Sequence, residues 1–167
     1  MTCHTAVTLE PVDEADLAAL HAIISEPEVI RYLDLIPPVP LQKTREFITC
    51  ATAGGGRVWG IRDEGALVGA VGLLPGEPAT KLAHSASLFI YLQRRCWGKG
   101  IGSAALRAVL GEAKRMKLER IEVLVVETNR RALELFTRNG FAVEGLLKCA
   151  FKAGTEYQNL ILLARLL

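Results

Sequence analysis

The feature that most limits how this chain can fold is the joint Arg95-Cys96-Trp97-Gly98-Lys99-Gly100-Ile101-Gly102, which links a strand-like run, Ser85–Leu92, to an amphipathic helix. Glycines at alternate positions let the backbone turn sharply and remove side chains, so that successive N–H groups can converge on one anion. The helix expected from about Ser103 adds unpaired amides and a positive dipole end at the same point. A polyphosphate, most simply a pyrophosphate, fits such a joint. A helix-capping turn with tight strand–helix packing and no ligand would use the same residues.

Two familiar phosphate loops are excluded by spacing. A P-loop needs Gly-Lys-Ser/Thr, whereas Gly98-Lys99 is followed by Gly100. A dinucleotide fingerprint needs G-x-G-x-x-G, whereas the chain offers Gly98-x-Gly100-x-Gly102. What remains, Arg95-x-x-Gly98-x-Gly100 with Ile101-Gly102 behind it, resembles the acyl-CoA pyrophosphate loop of the GCN5-related N-acetyltransferases.

The other segments read in order around that joint. Residues 6–12 alternate Val7 and Leu9 with Thr8 and Glu10, a short strand ending at Pro11. Asp13 has the place of an N-cap, and Leu17, Leu20, His21 and Ile24 mark one face, which predicts a helix over 13–25. Pro37, Pro38 and Pro40 forbid regular helix and predict a stiff surface loop over 35–40. A weaker helix over 41–51 ends before Gly54-Gly55-Gly56. Strands over 57–62 and 66–74 flank the hairpin signal Asp63-Glu64-Gly65.

The run Ser85–Leu92 becomes apolar on both faces toward its end, as a central strand does. In the helix after the glycines, Ala105, Leu106, Val109, Leu110, Ala113 and Met116 form the apolar stripe. A β-branched run, Arg120–Val126, is followed by Asn129 as cap of a helix that holds Phe136 and stops at Asn139-Gly140. Residues 141–151 and Glu156–Leu166 read as a last strand pair around Gly154. This order predicts an α/β (α+β mixed) sheet with helices on both faces, parallel where a helix intervenes.

Composition narrows the function. A length of 167 residues, half of them hydrophobic, fits a single domain over 1–167. A net charge of +2 gives no global field to recruit nucleic acid or membrane, so phosphate binding must be local. Cys3, Cys50, Cys96 and Cys149 lack the spacing of a metal site, and a reduced cytoplasmic protein without a metal is expected. Cys96, beside Arg94 and Arg95, is either a thiolate or a packing residue. Residues 1–5 lack a secretory profile, and no apolar run reaches transmembrane length.

The resemblance extends from about His84 to Leu166. After the loop come the strand Arg120–Val126, then Asn129, Ala132 and Asn139-Gly140-Phe141, and then Glu144-Gly145, in the family's order. It implies a GNAT-like fold, a central mixed sheet of about seven strands flanked by about four helices. The strand ending at Leu92 would splay from the one ending near Thr128, and acetyl-CoA would enter as co-substrate. Its diphosphate would lie on main chain at Trp97, Gly98, Lys99, Gly100, Ile101, Gly102 and Ser103, with Arg95 nearby. Tyr91 and Leu92 would take the pantetheine arm, and Asn129 would bond the arm or, as a catalytic residue, orient the amine.

Within the family the cues are nearest to small-molecule and amino-acid N-acetyltransferases and to ribosomal-protein N-terminal acetylases. The expected reaction is direct attack of a small-molecule primary amine on the thioester in a ternary complex. The amine must shed a proton, since an alkyl ammonium has a pKa of ~10.4. His84, Glu127 and Glu156 are the candidate bases. Phe136 stands where many relatives carry a tyrosine that protonates the thiolate, which leaves Tyr91 and Tyr157 as substitutes by chemistry only. A terminal acetylase and a non-catalytic acyl-CoA sensor are the alternatives; a phosphotransferase lacks its lysine and carboxylate pair. For the apolar last strands, a homodimer interface and buried core serve equally well.

Overall fold

Three hairpin-like pairings and one helical crossover arrange the strands. The computed structural model describes residues 7–167; Cys3, the signal reading of residues 1–5 and Ala6 of the expected first strand lie outside them. The strands are β1 (Val7–Pro11), β2 (Arg57–Asp63), β3 (Ala66–Pro75), β4 (Ser85–Leu92), β5 (Arg120–Val126), β6 (Ala142–Ala153) and β7 (Glu156–Leu166). They form one seven-stranded sheet in the order β1-β2-β3-β4-β5-β7-β6. Glu64 and Gly65, both at positive φ, make the two-residue turn between β2 and β3. Among the described strands only β4 and β5 pair in parallel, with a helix between them in sequence; β1 and β2 pair antiparallel although helices intervene there too, so the expectation of parallel pairing wherever a helix intervenes fails at that pair. β4 is the middle strand, as its two apolar faces predict.

The helices are α1 (Leu17–Ile24), α2 (Pro27–Ile30), α3 (Leu41–Ala53), α4 (Ile101–Arg115) and α5 (Arg130–Arg138). Asp13 and Asp16 form a reciprocal capping box, each carboxylate accepting the other's N–H at 3.2 and 3.3 Å. The expected 13–25 helix therefore opens with a 3-10 turn, Glu14–Asp16, before α1 begins. α2 is an addition to the sequence reading, a single turn with Pro27 at its start. α4 begins at Ile101, two residues ahead of the expected start, because Gly100 turns left-handed (φ 82°) and Ile101, 3% exposed, drops into the core.

Side-chain alternation along β4 assigns the two layers. Phe89 meets Phe47 of α3 edge to face at 5.1 Å, on one side of the sheet. Leu92, on the opposite side, faces Gly102 of α4, where a Cβ would come within 3.5 Å of Leu92 and Leu135 of α5. Ala105, Leu106, Val109 and Ala113 seal α4 on that face. β6 is an edge strand, and most of it lies outside the core: Val143 is 61% and Leu146 50% exposed. Among the described residues no helix is long and apolar enough to cross a membrane.

Candidate active site

β4 and β5 separate halfway along their length. They pair only at Ser85↔Arg120, Ala86↔Ile121 and Ser87↔Glu122, whereas β4 keeps β3 along its other edge up to Gly69↔Leu92. A cleft of about 910 Å³ opens where they part. Leu88–Leu92 forms one wall and Val123, Leu124, Val125 and Val126 the other. The Gln93 N–H donates to the Val68 carbonyl at 2.8 Å, which fixes the alternation along β4. Phe89 and Tyr91 thus direct their backbone groups toward β3, while Ile90 and Leu92 direct theirs into the cleft.

The glycine joint stands at one end of this cleft. After a 3-10 turn, Arg94–Cys96, the backbone passes through Gly98 (φ 74°) and Gly100 (φ 82°) into α4. Gly100 accepts the Ala104 N–H through its carbonyl at 3.0 Å. Among the described residues, the amides of Gly98, Lys99, Gly100, Ile101, Gly102 and Ser103 donate to no acceptor. A Cβ on Gly100 would meet nothing within 4 Å, so the space above these amides is open. Trp97, Gly98, Gly100, Gly102 and Ser103 line the cleft; Ile101 contributes its amide while its side chain belongs to the core. Lys99 and Arg95 are exposed, and the Arg95 guanidinium donates to Gln93 at 2.8 Å.

Trp97 closes the joint onto β4. Its Nε1–H donates to the Leu92 carbonyl at 2.9 Å, so of Leu92's two backbone groups the N–H is the one left to a ligand. Cys96, beneath it, is buried and free, and packs in the core. Asn129 lines the cleft from the start of α5, its Oδ1 accepting the Ala132 N–H at 3.2 Å. Phe136 reaches the cleft floor and packs edge to face on Phe141 at 5.2 Å. Tyr91 lines the cleft as well, and burial pushes its phenol well above the ordinary value, so it stays protonated.

The proposed bases are not brought to this place. His84 lies at the paired end of β4, exposed, its carbonyl accepting the Glu119 N–H at 2.8 Å. Glu127 ends β5 with both carboxylate oxygens engaged, accepting the Asn159 N–H at 2.9 Å and the Asn159 Nδ2–H at 3.0 Å. It ties β5 to β7 and does not line the cleft. Glu156 is exposed at the start of β7, and Tyr157, 59% exposed, lies beside Lys152. Neither reaches the cleft.

Other residues arrive that sequence reasoning passed over. Arg131, Glu134 and Arg138 of α5 line the cleft at helical spacing. Glu28, Arg31, Tyr32 and Asp34, from α2 and the segment after it, wall one side, and Phe151 and Lys152 of the β6–β7 hairpin the other. Pro27 as a first-turn residue was the available signal for α2, and the spacing from Arg131 to Arg138 the signal for α5. The arrangement leaves open main-chain amides at its glycine end, a gap between two strands, and a second opening between the α2 segment and the β6–β7 hairpin.

Comparison with known proteins places this geometry. A family model described as "Acetyltransferase (GNAT) domain" matches residues 6–142. The Bacillus subtilis (strain 168) protein named "Putative phosphinothricin acetyltransferase YwnH" is 34% identical over 71 residues, 42% of each chain, so the match spans less than half of that relative. Among solved structures, spermidine N-acetyltransferase from Vibrio cholerae in complex with CoA and spermine superposes with a TM-score of 0.84 at 22% identity, covering 96% of this chain and 95% of that one. Ribosomal-protein-alanine N-acetyltransferase from Brucella melitensis gives 0.83 at 24%, covering 96% and 99%. At these identities the likeness is one of fold.

Proposed function

The chain belongs to the acetyltransferase (GNAT) family, and on that premise we propose that it moves the acetyl group of acetyl-CoA to a primary amine of a small molecule, of amino-acid or polyamine type. Attack is direct, within a ternary complex. The observation that carries this reading is the run of unspent amides over residues 98–103 at the mouth of the β4–β5 cleft. A diphosphate seated there completes the first turn of α4 and meets its positive end. The cleft continues from that point between the strands, where the proposed pantetheine arm would lie.

The cleft-facing N–H groups of Ile90 and Leu92 serve the arm and the thioester oxygen. Negative charge grows on that oxygen as the amine attacks, and a fixed donor stabilises it. Asn129 has committed its oxygen to capping α5, so its Nδ2 donor is what it offers the arm or the amine. With Glu127 held by Asn159 and His84 remote, neither serves as base here. Leu124, Val126, Leu160 and Phe151 surround the acceptor instead, and desolvation among them lowers the amine's pKa so that water takes its proton. Phe136 cannot donate, and water likewise returns a proton to the departing thiolate.

Incubation with acetyl-CoA and a panel of amines, read by thiol release, tests the reading. The relatives set the panel: phosphinothricin and amino acids, spermidine and spermine, and peptides with a free N-terminal alanine. Calorimetric titration with CoA is the companion measurement, and no binding at millimolar ligand sinks the proposal. One other reading has support of its own. Phe136 and the engaged Glu127 fit an acyl-CoA sensor, which would bind CoA and release no thiol with any amine. A homodimer through exposed Val143 and Leu146 of β6 accompanies either reading, and sedimentation equilibrium decides it.

A further inference from the structure

Around Trp97 two guanidinium groups converge. The guanidinium of Arg94 lies 4.9 Å and that of Arg131 5.1 Å from the centroid of its ring. Among the described residues neither forms an ion pair with a carboxylate, although surface arginines of this chain such as Arg45, Arg62 and Arg115 do. Arg131 sits, moreover, in the first turn of α5, which begins Arg130-Arg131 and holds no acidic residue. A cation at the positive end of a helix is electrostatically disfavoured. Its local setting on α5 therefore gives no reason for a cation at this position, and the reason has to be sought across the cleft.

Across the cleft lies the glycine joint. An Nη atom of Arg131 is 3.8 Å from where a Cβ on Gly98 would stand, in van der Waals range, so the guanidinium lies beside the first of the open amides. The indole that supports it is fixed in turn by the Nε1–H bond to Leu92. We propose that Arg131 is a phosphate-binding residue for the acetyl-CoA diphosphate, and that Trp97 is the positioning residue that holds its guanidinium beside Gly98. The assignment rests on the acetyl-CoA reading of the loop and adds a side-chain ligand from a different element, α5. A guanidinium offers the planar donor fork that a phosphate takes up, and stacking on an indole leaves that fork free at its edge. Adjacency to Gly98 selects the diphosphate in preference to the ribose 3′-phosphate.

Calorimetric titrations of the full chain with CoA and with 3′-dephospho-CoA test this. Arg131→Gln weakens both ligands alike, by about tenfold or more, the worth of a charge-assisted hydrogen bond. Arg131→Lys, which keeps the charge and loses the planar stack, falls between. Trp97→Leu loses about as much as Arg131→Gln, the double variant binds no worse than either single one, and Trp97→Phe restores much of the affinity by restoring the ring. In turnover the KM for acetyl-CoA rises more than kcat falls. The assignment is overturned if Arg131→Gln binds as the parent does, if the two losses add, or if the loss is confined to CoA and spares 3′-dephospho-CoA, which would move the contact to the 3′-phosphate. Should the parent chain itself bind neither ligand, the acetyl-CoA reading of the loop falls, and this assignment with it.

Discussion

Helices α4 and α5 both begin at the cleft, and they begin differently. α5 closes its own first turn: Asn129, just before it, accepts the Ala132 N–H through its side chain. α4 starts from Gly100, which has no side chain to fold back, and the amides over 98–103 donate to no described residue. Gly is itself an acceptable cap residue, and a Ser, Asp or Asn in its place adds only about a few tenths of a kcal/mol; α3, which starts after Pro40, has no side-chain cap either. What sets α4 apart is that its open amides stand at the mouth of the cleft, where the proposed diphosphate would finish the first turn.

The largest effect should come from breaking that asymmetry. Gly100→Val adds a branched side chain where φ is 82°, and the space it enters is the space the diphosphate needs. Loss of CoA affinity by more than about a hundredfold in calorimetry is expected, with a stability cost of roughly 1–2 kcal/mol from the left-handed backbone. Unchanged affinity would mean that the ligand lies elsewhere. The next effect comes from the capped helix. Asn129→Asp preserves the cap, since Asp and Asn cap equally well, but removes the Nδ2 donor. Thermal stability should hold while kcat/KM falls by about ten- to a hundredfold, the worth of one or two hydrogen bonds in a desolvated site. Asn129→Ala should lose activity and, in addition, about 1 kcal/mol of stability.

The same contrast shows which parts of the molecule were legible in the sequence. Backbone devices declare themselves through residue type: the capping pair Asp13 and Asp16, the turn at Gly65, Asn129 before α5, and the glycines of the joint all stand where the pattern puts them. The parallel pairing of β4 and β5 follows from the helix between them, whereas β1 and β2 pair antiparallel across an insertion of several helices, which no local pattern announces. Side-chain chemistry was far less legible. Glu127 reads as an available carboxylate until Asn159, 32 residues later, arrives across β7 to occupy both oxygens. His84 has suitable chemistry at the wrong end of its strand. Arg131 looks like ordinary solvated charge, since only the fold brings Trp97 and Gly98 to it. Pairings between distant segments carry no local signature, whereas caps and turns do.

A smaller effect is expected where the joint meets the acceptor side. The Glu26 carboxylate, just ahead of α2, accepts the Arg94 N–H at 2.8 Å. This is a direct tie between the glycine-joint end of the cleft and the segment proposed to wall the acceptor. Glu26→Gln keeps the shape and weakens the bond, so both the Kd for CoA and the KM for the amine should rise, each by about two- to fivefold, in line with a change from a charged to a neutral acceptor. A shift in only one of the two constants would show that Glu26 serves that site alone and couples nothing.

The smallest effect lies at the opposite end of the sheet, where β4 and β5 are still paired. Arg120, opposite Ser85, is held there by Glu122 and by Glu144, whose carboxylate accepts from it at 2.9 Å. The arginine holds the Glu144 carboxyl below its ordinary value, through the hydrogen bond first and the charge second. A carboxyl with a depressed folded-state pKa contributes stability that is present above the ordinary value of ~4.3 and is lost as pH falls through the depressed one. Denaturant midpoints for the parent chain and Glu144→Gln should therefore differ slightly and steadily from pH 7 down to about 5, and converge as pH falls through the depressed value. Because the pair is exposed, added salt should shrink the difference at every pH. If the two proteins converged on raising the pH instead, the closed end would not owe its hold to this ion pair. CoA binding should be the same for the two proteins at each pH, since Glu144 lies at the closed end, away from the glycine joint.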